Sequence, residues 1–264
     1  MNISDFKNPF FIGVAGVGMS AIAQYLQGIG KNVSGSDRYF HPDEYNKTKE
    51  QLENEGIKCF LQDGSGITKE TDLVVVSTAI EDTVYEVKKA KELGIPIIKR
   101  SQLLAMIAKS KKTVAVAGTS GKSTTSAMLF QILLDAGLEP SIISGAGLTS
   151  IIKQGKIGNA YVGEGDWLII EADESDGSIA LYNPTIAVLN NIALDHKTMD
   201  ELLDLFNGFV SKAGAAVLNL DNAHVADLAA RNTDTAMTYG IVYPNARLHA
   251  SDIVPHASGV TCLV

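Results

Sequence analysis

A chain of 264 residues with a formal charge of −8 has the length of about two domains and lacks the broad positive surface that a DNA or RNA backbone demands. Aliphatic and aromatic residues make up 45% of it, ample for buried cores, yet no run of about 18 apolar residues exists to span a membrane. The two cysteines, Cys59 and Cys262, lack metal-ligand spacing and read as ordinary thiols of a reduced, cytosolic protein.

The opening stretch has no basic region and its apolar run breaks at glycines, so it is not a secretion signal. Short β-branched runs then alternate with helical patterns, as in a parallel sheet with crossover helices. In chain order the spacing predicts a strand over Phe10–Val14, a helix over Met19–Gly28, a strand over Lys31–Ser34 and a helix over Asp43–Glu55. A buried strand over Leu73–Ser77, a helix over Thr83–Leu93, a strand over Ile95–Ile98 and a short helix over Ser101–Ala108 follow. The basic stretch Lys109–Lys112 reads as a linker. The pattern restarts with a strand over Thr113–Ala117, a helix over Ser123–Ala136 and a strand over Trp167–Ala172 after a long irregular connection. Next come a strand over Thr185–Asn190, an amphipathic helix over Met199–Val210 and a strand over Ala216–Asn219. Short strands close the chain: Met237–Tyr239, Leu248–Ile253 and Val260–Val264.

Two glycine loops carry the chemistry. The first, GVAGVG at positions 13–18, differs from a dinucleotide fingerprint in having Ala15 where a glycine belongs and Gly16 one place later. Its glycines still permit a tight turn, and the helix beyond offers N–H groups to a phosphate. Asp37 falls about where an acidic residue can bind a ribose hydroxyl. A ligand-free turn, an NAD site and a site for another nucleotide diphosphate all fit these residues.

The second loop is more specific. An apolar strand leads into Gly118, Thr119, Ser120, Gly121, Lys122, Ser123 and Thr124, which open a helix. That arrangement aims backbone N–H groups at phosphate, adds the Lys122 ammonium for the β- and γ-phosphates, and offers the Ser123 hydroxyl to Mg²⁺. Val116 stands where the longer phosphate loop has its first glycine, so this is a shorter form of that loop. It predicts ATP binding.

Downstream, Glu171 ends an apolar strand and opens the acidic run EADESD at 171–176. A carboxylate at the end of a buried strand needs a partner, and Mg²⁺ bound to ATP supplies one. Asp176 reads as a solvated acid. His196 follows the next strand and should lie at the same carboxyl edge, where open α/β sheets bind ligands.

Taken together, GTSGKSTT, EADESD and NNIALDH resemble the Mur ligases, ATP-dependent enzymes that add amino acids to the cytoplasmic precursors of peptidoglycan. The opening FIGVAGVGMSAIAQYL, with GSD at 35–37, looks most like the L-alanine-adding branch. The resemblance covers nearly the whole chain. It implies an α/β protein: a Rossmann-like parallel-sheet domain over residues 1–109 that binds a UDP-substrate, then a P-loop-type α/β central domain over 110–264 that binds ATP. The family's third, C-terminal domain finds no counterpart in these residues. Two departures stand out, Ser120 and Ser123 where that branch usually has His and Thr.

The resemblance further implies that UDP-N-acetylmuramate and L-alanine are the substrates and that ATP and Mg²⁺ are required. Lys122, Glu171 and His196 would be catalytic, with Ser123, Glu171 and His196 as metal ligands. Gly16, Val17, Gly18, Met19, Ser20, Asp37, Ser77, Thr78 and Arg100 would contact the UDP-substrate. Competing readings are a ligase that attaches recovered murein peptide, an NAD-linked dehydrogenase and a nucleotide-binding regulator without catalysis.

Overall fold

The computed structural model describes every residue except Thr78, Ala79, His196 and 233–235. The chain divides into two compact units, Met1–Lys111 with Ala127–Ile169, and Lys112–Ser126 with Ile170–Val264.

The first unit is built on a five-stranded parallel sheet. Its elements are β1 (Pro9–Ile12), α1 (Val17–Gly28), β2 (Ser34–Ser36), α2 (Lys47–Asn54), β3 (Lys58–Phe60), β4 (Leu73–Val76), α3 (Tyr85–Glu92), β5 (Ile97–Lys99) and α4 (Arg100–Lys109). The strand order is β3-β2-β1-β4-β5, with all four pairings parallel. β1 is apolar throughout because it is covered on both faces, and all four of its residues are buried. On one face Phe10, Ile12 and Val74 pack against Val87 and Ala90 of α3. The strand order reverses between β1 and β4, and such a switch point opens a crevice at the carboxyl ends of the strands.

Two predicted boundaries shift, each for a local reason. The helix predicted from Asp43 starts at Lys47 instead, because Asp43 has φ +62° and Asn46 caps the helix by accepting from Lys49 N at 3.0 Å. The strand predicted over Lys31–Ser34 begins only at Ser34. Lys31 turns back to donate to the carbonyls of Ile3 and Phe6, and Val33 N donates to the Gln27 side chain.

The chain continues through β6 (Lys112–Ala117), α5 (Lys122–Asp135), β7 (Ser141–Ile143), α6 (Thr149–Ile152), β8 (Ala160–Tyr161) and β9 (Trp167–Glu171). The connection expected to be irregular thus contains a short antiparallel pair, β7–β8, and a one-turn helix. After it come β10 (Ile186–Leu189), α7 (Met199–Ser211), β11 (Ala215–Asn219), α8 (Ala223–Arg231), β12 (Ala236–Gly240), β13 (Leu248–His249), β14 (Ser251–His256) and β15 (Gly259–Leu263). In the second unit the strand order is β13-β12-β11-β10-β6. Within the second unit β6, β10, β11, β12 and β13 run parallel.

α7 starts where the sequence predicts, because Thr198 and Glu201 form a reciprocal cap. The strand predicted over Leu248–Ile253 is divided, with Asp252 at φ +50° inside the β14–β15 hairpin. At the end of β11, Asp221 accepts from the N–H groups of Ile241, Val242 and Tyr243. Burial pushes its carboxyl pKa up, but those three donors outweigh burial and hold it below the usual carboxylate range. The clamp fixes the turn after β12.

Both cysteines are unbonded, and burial pushes the Cys59 thiol up to about 12, which makes it unreactive. Among the described residues no helix is long and apolar enough to cross a membrane.

Candidate functional site

β6 and β10 pair directly, with Ala117 opposite Leu189. The turn after β6 therefore lies beside the residues that follow β10, as the sequence predicts for neighbouring strand ends. Asn191 laces the two together. Its carbonyl accepts from Thr119 N at 3.2 Å, and its Oδ1 accepts from Thr119 Oγ1 and Ser120 N at 2.8 and 2.9 Å. Its Nδ2 donates to Ser120 O at 3.1 Å. Gly118 has φ +133°, and a Cβ there would lie 3.1 Å from the backbone N and O of Asn191. Only glycine allows the chain to turn this close to the neighbouring strand.

The loop then opens α5. The first intrahelical bond runs from Thr125 N to Gly121 O, so the N–H groups of Gly121 through Thr124 precede the helical ladder and point out of its N-terminus. The N–H groups of Thr119 and Ser120 are spent on Asn191, leaving the helix start as the part of the loop that can receive an anion.

Two side-chain pairs complete this site. Ser123 Oγ donates to Glu171 Oε2 at 2.9 Å. Lys122 Nζ donates to Gly118 O and to Glu174 Oε2, each at 2.9 Å. The hydroxyl–carboxylate pair is an all-oxygen donor set at the start of a phosphate-loop helix, which suits Mg²⁺. Among the described residues no group of three or more His, Cys, Asp or Glu side chains could hold a metal by itself. Ser123 and Glu171 would thus hold Mg²⁺ only together with phosphate oxygens or water. His196, the third predicted ligand, lies outside the described residues. Asp176 is exposed, as expected, and its carboxylate accepts from Ser178 N.

In the first unit, the glycine turn lies at the switch point of its sheet. A cavity of ≈ 420 Å³ is lined there by Gly13, Ala15, Gly16, Asp37, Tyr39 and Ser77, among others. Asp37 is 4% exposed, and its carboxylate accepts from Ala15 N and Tyr39 N at 2.9 and 3.0 Å. It braces the loop against the end of β2. Arg100, the first residue of α4, lies against the first turn of α1, since a Cβ on Gly18 would sit 3.0 Å from its Nη1. A guanidinium beside a helix N-terminus is a setting for an anion.

The other predicted contacts differ in exposure. The side chain of Met19 is buried, and Ser20 is 1% exposed, with its Oγ donating to Val17 O and its N–H donating to Gly16 O. Val17 is exposed and remains on the surface of the turn. Thr78 lies outside the described residues.

Three participants escaped sequence reading. Glu174 sits inside the acidic run, where nothing in the sequence distinguishes it from the neighbouring acids. Asn191 stands in the NNIALDH segment, where only His196 is given a role. Asn159 comes from the irregular stretch before β8, and its Nδ2 donates to Val17 O and Ser20 Oγ at 2.8 and 3.0 Å. Its Oδ1 accepts from Gln24 Nε2 at 2.7 Å. It thereby fastens the first turn of α1 from a position about 140 residues away in sequence.

Comparison with known proteins agrees with this geometry. A family described as "Mur ligase family, catalytic domain" matches residues 10–112, and "Mur ligase middle domain" matches residues 116–264. A UDP-N-acetylmuramate–L-alanine ligase of Geotalea uraniireducens is 40% identical over 92% of this chain and 52% of its own. The enzyme of the same name from Aquifex aeolicus is 37% identical over 90% and 52%. The chain therefore spans about half the length of the curated relatives it matches. Among solved structures, UDP-N-acetylmuramate–alanine ligase of Thermotoga maritima superposes with a TM-score of 0.76 at 24% identity, covering 89% of this chain and 53% of that one. A UDP-N-acetylmuramate:L-alanyl-γ-D-glutamyl-meso-diaminopimelate ligase from Neisseria meningitides gives 0.80 at 24% identity, covering 98% and 84%; at that identity the two structures speak for the fold. With both of its glycine loops inside matching family segments, the chain belongs to the Mur ligase family.

Proposed function

We propose that this chain carries the two nucleotide sites of an ATP-dependent, ADP-forming ligase that joins L-alanine to the carboxylate of UDP-N-acetylmuramate, a cytoplasmic step of peptidoglycan precursor synthesis. The observation that carries the reading is the convergence of Lys122, Ser123 and Glu171 at the start of α5. The names of the relatives near 40% identity support the choice of amino acid. A dehydrogenase has no use for that constellation.

In this reaction the substrate carboxylate attacks the γ-phosphorus of ATP, giving an acyl phosphate and ADP. The amino group of L-alanine then attacks the acyl carbon and expels inorganic phosphate. Such transfers depend on positioning and on neutralising charge. Bound Mg²⁺ supplies charge neutralisation across the phosphates. Lys122 would meet the β- and γ-phosphate oxygens, the start of α5 would receive the phosphates on its N–H groups, and Ser123 with Glu171 would hold the metal. His196 remains proposed as a further metal ligand. The first unit would take the UDP moiety, with its diphosphate at the start of α1 beside Arg100 and its nucleoside in the neighbouring cavity.

The deciding experiment measures ADP release by the protein with UDP-N-acetylmuramate and L-alanine, against a tripeptide in place of L-alanine. ADP formed only with both substrates, and with L-alanine preferred, supports the reading; ADP release independent of them removes it. A second expectation concerns Asn159. Asn159→Ala removes two hydrogen bonds to the first turn of α1, and with the low end of about 0.5–1.5 kcal/mol per bond passed on to the ligand, UDP affinity should fall roughly fivefold. Affinity for ATP should stay the same. Equilibrium dialysis with each nucleotide checks this, and unchanged UDP affinity would leave Asn159 a packing residue only.

A further inference from the structure

Glu174 has no part in the chemistry above, yet it occupies a commanding position. Its side chain is 5% exposed, and its Oε2 lies 2.9 Å from Lys122 Nζ. The same ammonium donates to Gly118 O, at the loop's first glycine. The lysine proposed to meet phosphate is thus engaged by a buried carboxylate and by its own loop. A buried carboxylate without a counter-charge is costly, so the pair holds both partners in place.

A phosphate oxygen that accepts from Lys122 Nζ would come within about 6 Å of Glu174 Oε2, the sum of two hydrogen-bond lengths. Like charges at that separation in a partly desolvated site oppose each other. Nucleotide must therefore either draw Lys122 away from Glu174 or bind against its charge. In both cases the carboxylate stabilises the empty loop and lowers nucleotide affinity. We propose that Glu174 is a built-in stand-in for phosphate, a positioning residue that keeps Lys122 in place while the loop is empty and speeds release of ADP by taking the lysine back. This rests on the reading of the loop as an ATP site.

The test uses this chain, a fluorescent mant-ADP probe with Mg²⁺, and the variants Glu174→Gln and Glu174→Asp. Glutamine keeps an acceptor for Lys122 but removes the charge. Glu174→Gln should bind mant-ADP about tenfold tighter, in line with relief of one close like-charge contact, with the gain appearing as slower dissociation in stopped flow. Glu174→Asp, whose shorter side chain reaches Nζ less well, should tighten binding two- to threefold, roughly a third of that effect on a logarithmic scale, and it decides the matter if the glutamine variant does not fold. Weaker or unchanged affinity in a folded variant, judged by its thermal melt, overturns the proposal alone. Failure of the unmutated chain to bind mant-ADP or mant-ATP at millimolar concentration withdraws the ATP-site reading, and the proposal with it.

Discussion

Lys122→Met is expected to weaken ATP binding about 10- to 100-fold, the worth of one charge-assisted hydrogen bond at about 1.5–3 kcal/mol. Turnover in a ligation-competent protein should fall further, by about 10²–10³, because charge builds on the transferring phosphoryl group where the ammonium stood. UDP binding should survive, since Arg100, the start of α1 and the cavity beside it all belong to the other unit. Isothermal titration with each nucleotide separates these outcomes, and equal loss of both would contradict the division into two sites. The variant also leaves Glu174 buried without its counter-ion, so its melting temperature should drop. Adding Glu174→Gln should restore the melting temperature and return about tenfold in ATP affinity by removing its charge, while turnover stays low, which distinguishes loss of the phosphate contact from loss of the fold.

How much of this was legible in the sequence depends on how local each signal is. The parallel sheets were readable because β1, β4, β6 and β10 are short apolar runs followed by glycines, acids or helical patterns. The phosphate loop was readable because glycine, lysine and hydroxyl must sit at fixed offsets on one turn of backbone. Boundaries set by side-chain caps were harder: α2 begins where Asn46 caps it rather than where its polar pattern starts. Three short elements, β3, β7 and β8, have two or three residues each, too few for a period to register. α8 was missed although Asn222 caps it by accepting from Val225 N.

The unread part of the site is of another kind. Asn159, Asn191 and Glu174 act through partners about 140, 72 and 52 positions away. No spacing rule links such residues before the sheet order is known. Once β10 is placed beside β6, Asn191 must fall next to Gly118, and its four hydrogen bonds to the loop follow from that adjacency. The carboxylates of the EADESD run divide by the same logic. Glu171 ends β9 and meets Ser123, Glu174 turns inward to Lys122, and Asp176 stays outside to cap the next turn. One acidic run thus supplies a serine-directed, a lysine-directed and a structural carboxylate, and of these only the lysine-directed one gave no sign of itself in the sequence.

That division gives the second large effect. Glu171→Gln retains an acceptor for Ser123 Oγ, which now donates to it at 2.9 Å, but removes the negative charge that a divalent cation needs. The Mg²⁺ concentration required for half-maximal mant-ATP binding should rise about 10- to 100-fold, at least the cost of disturbing an outer-shell partner of a metal ligand. Affinity for mant-ATP without Mg²⁺ should stay level or rise, because a carboxylate near the phosphates is gone. A merely structural glutamate would lower both together. Ser123→Ala should shift the Mg²⁺ dependence in the same direction by removing the hydroxyl, while Ser123→Thr, which keeps it, should behave like the unmutated chain. If Glu171→Gln leaves the Mg²⁺ dependence unchanged, the metal is held elsewhere and the Ser123–Glu171 pair reverts to a strand-end hydrogen bond.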